Sequence, residues 1–432
     1  MADMDITDKK DDWKGAVIWK MPEWIEPVAI VSILLFAMFI TRRKSYSIMD
    51  RARSPNYRPL IATEDSPRVS DDSDLPQVTN TRYPPKRRRI LGIWTVQTPN
   101  STRFAGHIHS RILQKFPFLV EMFYWAITYF FYRMTAYLSA LWYGGKDGLW
   151  EVAQDHGIAL LEMEAWALGS GATNGTQRWL EWRVQQWFII GAEAGDWRRV
   201  FLTVLNRVYA LIHIPGTVGF IAYYYTVAPN HPRFCTVRRT MSLLNLFAFF
   251  IFTVYPCMPP RLLPKEFGFI DTVNAEDAAS VWMSGNYVNK LAAMPSMHFG
   301  YSFCIGCVFV YESGFLRQWC RLTRKRVEFD SAAELVSPSY PPSRSERDGQ
   351  RSASARGMYL FTGILYPSII LLTIVATANH YFLDAVAAIF VVLVAFICNK
   401  MLLNFLVLED WLLWAWRLEK PEPTTGLREK IK

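Results

Sequence analysis

The stretch that decides the fold is residues 378–407, ANHYFLDAVAAIFVVLVAFICNKMLLNFLV. From Ala385 to Val407 its only charge is Lys400, and so long an apolar run reads as a membrane helix. Just ahead of it stand His380 and Asp384. Ionisable groups at the edge of a bilayer are costly and tend to be there for chemistry. Four residues apart on a helix, the two share a face. The carboxylate can then hydrogen-bond one imidazole nitrogen, fix the tautomer and raise the basicity of the other, as a nucleophile or base requires.

Two further junctions have the same character. In AAMPSMHFGYS, residues 292–302, His298 stands at the mouth of an apolar run and is placed to protonate a leaving group. In YPCMPPRLLP, residues 255–264, four prolines stiffen a loop that carries Arg261. A fixed guanidinium at a membrane edge suits bidentate phosphate binding; the bland alternative is a topogenic arginine in a turn.

The 432 residues are 51% hydrophobic and 15% aromatic, with basic, Ser- and Pro-rich stretches between apolar runs. That alternation describes an all-α, polytopic membrane helix bundle of six or seven transmembrane helices, with amphipathic interfacial helices and disordered cytosolic loops. The net charge of +9 gathers beside the apolar runs, where it sets topology and meets anionic headgroups, so nucleic acid is not an expected partner. Spans are expected at Trp24–Thr41, Phe118–Tyr143, Phe201–Val227, Met241–Tyr255, Met297–Tyr311, Met358–Thr377 and Ala385–Val407. Residues 1–23 form a polar tail, 42–115 a basic and largely disordered cytosolic segment, and 411–432 a C-terminal tail. Between them, 116–410 form the membrane-embedded domain, interrupted by a disordered loop at 317–357. Residues 147–200 read as interfacial helices with charged outer faces, which accounts for Glu162 and Glu164.

Topology tests the span assignment. With a lumenal N-terminus, seven spans put 42–115, 229–239 and 317–357 in the cytosol, as the positive-inside rule requires. The same count brings 256–298 and 378–384 to one lumenal face. It leaves Asn174 open to glycosylation and Asn100 cytosolic. Cys304 and Cys307 form a CxxC whose place inside a membrane helix favours packing over redox or zinc chemistry. His107, His109, His156 and His231 read as surface residues, Lys290 as a loop lysine, and Arg133 and His213 as polar contacts within spans.

In their order, PPRLLP, AAMPSMHFGYS and NHYFLDAVAA resemble the type 2 phosphatidic acid phosphatase superfamily, and within it the inositol phosphorylceramide synthase-like (inositolphosphotransferase) branch, over roughly residues 150–405. The resemblance implies catalytic roles for His380, His298 and Asp384. His380 attacks phosphorus and becomes a phosphohistidine, Asp384 orients it, and His298 protonates the leaving oxygen. It implies that Arg261 and Ser296 bind the substrate phosphate. It also implies a metal-free, cofactor-free enzyme of lipid metabolism in the Golgi or endoplasmic reticulum, with a lumenal site and a phospholipid or lipid phosphate as substrate.

The phosphatase pattern has an arginine six residues before the nucleophile, where this chain has Ile374 preceded by Thr373. It has a lysine seven residues before the first arginine, where this chain has Val254. Both departures are similar to the inositolphosphotransferase branch. Alternatives are a lipid phosphate phosphatase of the same superfamily, a non-catalytic membrane scaffold, or zinc ligation by His380, Asp384 and His298.

Overall fold

The computed structural model describes residues 22, 24–49, 83–169, 175–275, 289–315 and 352–425. Asn174, the side chain of His213 and most of the loop expected at 317–357 lie outside the described residues.

The protein is an all-α membrane helix bundle with one small hairpin. Its helices are α1 (Ile25–Thr41), α2 (Ile108–Lys115), α3 (Leu119–Trp142), α4 (Lys146–Ala167), α5 (Leu180–Glu193), α6 (Trp197–Val227), α7 (His231–Val254), α8 (Met297–Glu312), α9 (Ala353–Ala376), α10 (Phe382–Cys398) and α11 (Leu406–Ala415). Among the described residues, three segments are long and apolar enough to cross a membrane: α7, α9 and the continuous stretch Phe382–Ala415. A fourth results if the two arms of α6, bent by 61°, form one span. The bend falls just before Pro215, which lacks the amide donor and crowds the preceding turn. Other stretches expected to span are helical but shorter or more polar. α1 has 17 residues, α8 has 16, and α3 carries Glu121 and Arg133. Arg133 donates to the Tyr129 hydroxyl one turn back.

The core lies where α6, α7, α8 and α10 meet, around Phe220, Tyr224, Phe234, Leu244, Tyr301 and Val392. α8 and α9 approach closely because Gly306 faces Gly363. A Cβ on Gly306 would stand 2.5 Å from the Gly363 carbonyl oxygen. Small residues at such crossings let backbones pack without a side-chain layer between them. Cys304 is buried in the core and Cys307 exposed, both as free thiols.

α4 and α5 each pack one face on the protein. The inward face of α4, from Leu149 and Ala153 to Leu160, Leu161 and Ala165, packs on Cys257, Met258, Leu263 and Tyr381. α5 buries Phe188, Ile189 and Ala192 against α6. Glu162 keeps an exposed ion pair with Arg178, but Glu164 is only 2% exposed and does not belong to a solvated face. Helical periodicity put it on a polar stripe, and only the covering loops show that this stripe is inside.

Within the basic segment expected as a largely disordered tether, the described residues 83–115 carry regular structure. Strands β1 (Lys86–Ile90) and β2 (Trp94–Thr98) pair antiparallel, with Lys86 opposite Thr98 and Ile90 opposite Trp94. Lys86 and Arg88 reach the buried Asp410 of α11. The C-terminal strap is likewise tied down, by Glu422 to Arg43 and by Lys420 to Glu409. Composition shows the surplus of positive charge, not the buried carboxylate, over three hundred residues away, that orders it.

Candidate active site

Three loops at one end of the bundle are stitched together through the backbone. The Cys257 amide donates to the Leu291 carbonyl at 2.8 Å, and the Ala293 amide to the Cys257 carbonyl at 3.1 Å. The Arg261 amide donates to Ala378 at 2.9 Å, and the Ser296 amide to the Asp384 carbonyl at 3.3 Å. The Tyr381 hydroxyl adds a 2.7 Å bond to the Met258 carbonyl. Above that last bond passes Gly157 of α4, where a Cβ would lie 2.6 Å from the hydroxyl and 2.8 Å from the carbonyl oxygen, so only glycine fits without displacement.

His380, His298 and Asp384 thereby converge. His380 is buried, and its Nδ1 lies 2.8 Å from the Ala293 carbonyl oxygen and 3.4 Å from Asp384 Oδ2. Both partners are acceptors, so Nδ1 carries the proton and Nε2 presents a lone pair. That lone pair faces His298 Nδ1 at 3.3 Å. His298 Nδ1–H is then the donor, and the resting site is a relay from His298 to His380 to the Ala293 carbonyl. Asp384 shares the role assigned to it from the sequence with a backbone carbonyl that stands closer. Its Oδ2 also accepts the Tyr381 amide at 3.0 Å, closing the first turn of α10.

Ser296 caps α8, its hydroxyl oxygen accepting the Phe299 amide at 3.3 Å, which leaves the hydroxyl proton available to a ligand. Capping fixes the first turn of α8 and with it His298. The His298 ring stacks on Tyr209 of α6, with centroids 4.3 Å apart and planes 22° from parallel. Tyr209 also lies 6.5 Å from the His380 ring.

Arg261 sits in a Pro-rich turn and ion-pairs with Asp271. Burial works against its charge, and the adjacent Asp271 carboxylate outweighs that, holding the guanidinium firmly protonated. With five donors, an arginine can keep Asp271 and still present N–H groups to a phosphate. Asp271 is itself positioned by Gln185 of α5, which bonds both the amide and the carbonyl of Ile270.

At the position of the absent second arginine, the Ile374 side chain is fully buried among apolar residues. Its carbonyl accepts the amides of Asn379 and His380, at 3.0 and 3.2 Å. Lys290 is exposed. Burial pushes the Cys257 thiol well above its ordinary pKa, so it is no nucleophile. His156, expected as a surface residue, is half-buried: Nδ1 lies 2.7 Å from the Pro256 carbonyl oxygen and the ring stacks on Tyr255. Among the described residues, no group of three or more His, Cys, Asp or Glu is arranged to hold a metal ion.

Sequence reading missed Ala293, Tyr209 and Asp271. Ala293 lies inside a quoted motif but acts through its carbonyl, which has no residue signature. Tyr209 reads as one more aromatic in a span.

A family model described as the PAP2 superfamily matches residues 179–320 and 350–398, which include Arg261, Ser296, His298, His380 and Asp384. No curated protein and no solved structure gives a match.

Proposed function

We propose that this chain, whose family match supports the type 2 phosphatidic acid phosphatase superfamily, is a metal-independent lipid phosphotransferase working through a phosphohistidine. The observation that carries the reading is the relay, with His380 Nδ1 occupied and Nε2 held 3.3 Å from His298 Nδ1. When a phosphodiester enters, the bond between the two imidazoles opens. His380 Nε2 forms a bond to phosphorus, the bond to the leaving oxygen breaks, and His298, entering the step as an imidazolium, delivers one proton to that oxygen and is left a neutral imidazole. The acceptor hydroxyl then gives its proton to His298 and attacks phosphorus, releasing His380. Arg261 and the Ser296 hydroxyl carry the charge that gathers on the non-bridging oxygens.

The acceptor favoured here is a lipid hydroxyl, giving a headgroup transfer like that of inositol phosphorylceramide synthase. The apolar Ile374 in place of a second phosphate-binding arginine supports a phosphodiester, which bears less charge than a phosphomonoester. Water as acceptor would make the same intermediate a phosphatase step. The loops of the site lie at one end of α7, α8, α9 and α10, and the basic hairpin and strap at the other. The positive-inside rule then supports a lumenal site, and the organelle we propose is the Golgi or endoplasmic reticulum, as the family resemblance implies.

The test supplies full-length protein in lipid nanodiscs with phosphatidylinositol plus ceramide and, separately, with phosphatidate. Transfer in the first mixture, with label trapped on His380 after an alkaline quench, is the expected result. Phosphate release from phosphatidate alone would favour the hydrolase, and turnover by His380→Ala would overturn the mechanism.

A further inference from the structure

The first amides of an α-helix have no partner within the helix and need acceptors from elsewhere. At the start of α10, which carries Asp384 and follows directly on His380, two of those acceptors are carboxyl groups, one from α10 itself and one from α5. Asp384 of α10 itself takes the Tyr381 amide at 3.0 Å. Glu181 of α5 takes the Phe382 amide at 2.7 Å through Oε1, across 201 residues of sequence. Glu164 of α4 lies beside Glu181. Glu181 is fully buried and Glu164 nearly so.

Two carboxylates side by side inside a protein repel, and as carboxylates neither could donate to the other. Glu181 Oε2 and both Glu164 oxygens lack a hydrogen-bond donor among the described residues. Burial, then the neighbouring Glu181, pushes the Glu164 carboxyl up to about 9. The Glu181 carboxyl stands at the positive end of α10, where the free amides favour such an acceptor.

We propose that Glu181 is a positioning residue for the His380–Asp384 pair. It anchors the start of α10 through the Phe382 amide. The claim rests on the histidine mechanism proposed above. Its content is geometric: without that anchor the first turn of α10 can shift, carrying His380 Nε2 off the line of attack, and misplacement by about 1 Å costs on the order of 100-fold in rate. Glu181 reaches only the backbone, so binding of substrate is not its task.

The experiment uses full-length protein in nanodiscs, assayed with whichever of the two substrate mixtures the wild type turns over. Glu181→Leu removes the acceptor. The expected result is a kcat lower by roughly 10–100-fold with KM within about threefold, and phosphohistidine formation slowed in the same proportion. Glu181→Gln keeps an oxygen for the Phe382 amide and should restore kcat to within about threefold of wild type, a rescue that filling space alone would not give. Should Glu181→Leu fail to fold, Glu181→Asp, which keeps the charge but falls short of the amide, takes its place with the same expected loss. Wild-type kcat in Glu181→Leu or Glu181→Asp, or equal losses in them and in Glu181→Gln, overturns the proposal. Turnover surviving His380→Ala sinks the histidine mechanism and this claim together. Loss in His380→Ala beside an unimpaired Glu181→Leu sinks this claim alone.

Discussion

Asp384 and Asp410 stand on the same continuous segment, Phe382–Ala415, at 0% and 2% exposure. Their surroundings could hardly differ more. Asp410 takes Arg88 Nε on Oδ2 at 2.7 Å and Arg88 Nη2 on Oδ1 at 3.2 Å, with Thr98 at 2.7 Å and Lys86 at 3.3 Å. Asp384 holds one backbone amide and a histidine 3.4 Å away, and its Oδ1 has no hydrogen-bond partner among the described residues. A buried carboxylate whose oxygens are saturated by cations is part of a clamp, here fastening the hairpin to the end of α11. One that is left under-satisfied beside an imidazole is suited to chemistry. Burial alone does not separate the two; the count of donors does.

The comparison can be broken most sharply at its His380–Asp384 end. His380→Ala should lower turnover on the order of ten-thousandfold while leaving the thermal unfolding midpoint near that of the wild type, as read by initial rates and a melting curve. Asp384→Asn should cost roughly 100-fold in kcat with little change in stability, because the amide oxygen can still accept from Tyr381. The loss is smaller than for a lone orienting carboxylate, since Ala293 also holds the His380 tautomer. Asp410→Asn should do the reverse. Specific activity per folded molecule is kept, and stability falls by about 2 kcal/mol as Arg88 and Lys86 lose their counter-charge. Equal effects of the two Asn variants on both measurements would remove the distinction.

Two smaller tests sharpen it. Gly157→Ala places a methyl group against the Tyr381–Met258 bond and should cost about 1–3 kcal/mol, with a parallel fall in kcat because that bond joins two loops of the site. Glu419, in the strap at the clamp end, is pushed up from 4.5 to about 7 by burial. The folded chain therefore keeps a proton that the unfolded chain releases. This group's share of stability is present below about pH 4.5 and is lost as pH rises towards about 7. Glu419→Gln should raise the melting midpoint by roughly 2–4 °C at pH 8 and barely change it at pH 4.5.

Much of the site is legible from residue type alone. His298, His380, Asp384, Ser296 and Arg261 are polar residues at the ends of apolar runs, where their cost makes them conspicuous. The helical class of the fold follows from the same runs. Glu164 and Glu181 were not legible, because a charged residue on an amphipathic helix is nearly always on its wet side, and only the packing of α4 and α5 over the loops reverses that. The basic run KRRR, residues 86–89, misled for the converse reason: the carboxylate that orders it lies 322 residues beyond Arg88.

The sequence by itself determined the helical class and offered the side chains proposed above for phosphoryl chemistry, because these depend on local periodicity and functional-group type. It overcounted the spans, since of the seven expected only three, or four with both arms of α6, are long and apolar enough among the described residues. Tertiary structure alone decided which nitrogen of His380 is free, what fixes the His298 ring and which carboxyl anchors α10. Those answers rest on a backbone carbonyl, a ring stack and a backbone amide, groups that every sequence contains and that acquire a role only when folding sets them within about 3 to 4 Å of one another.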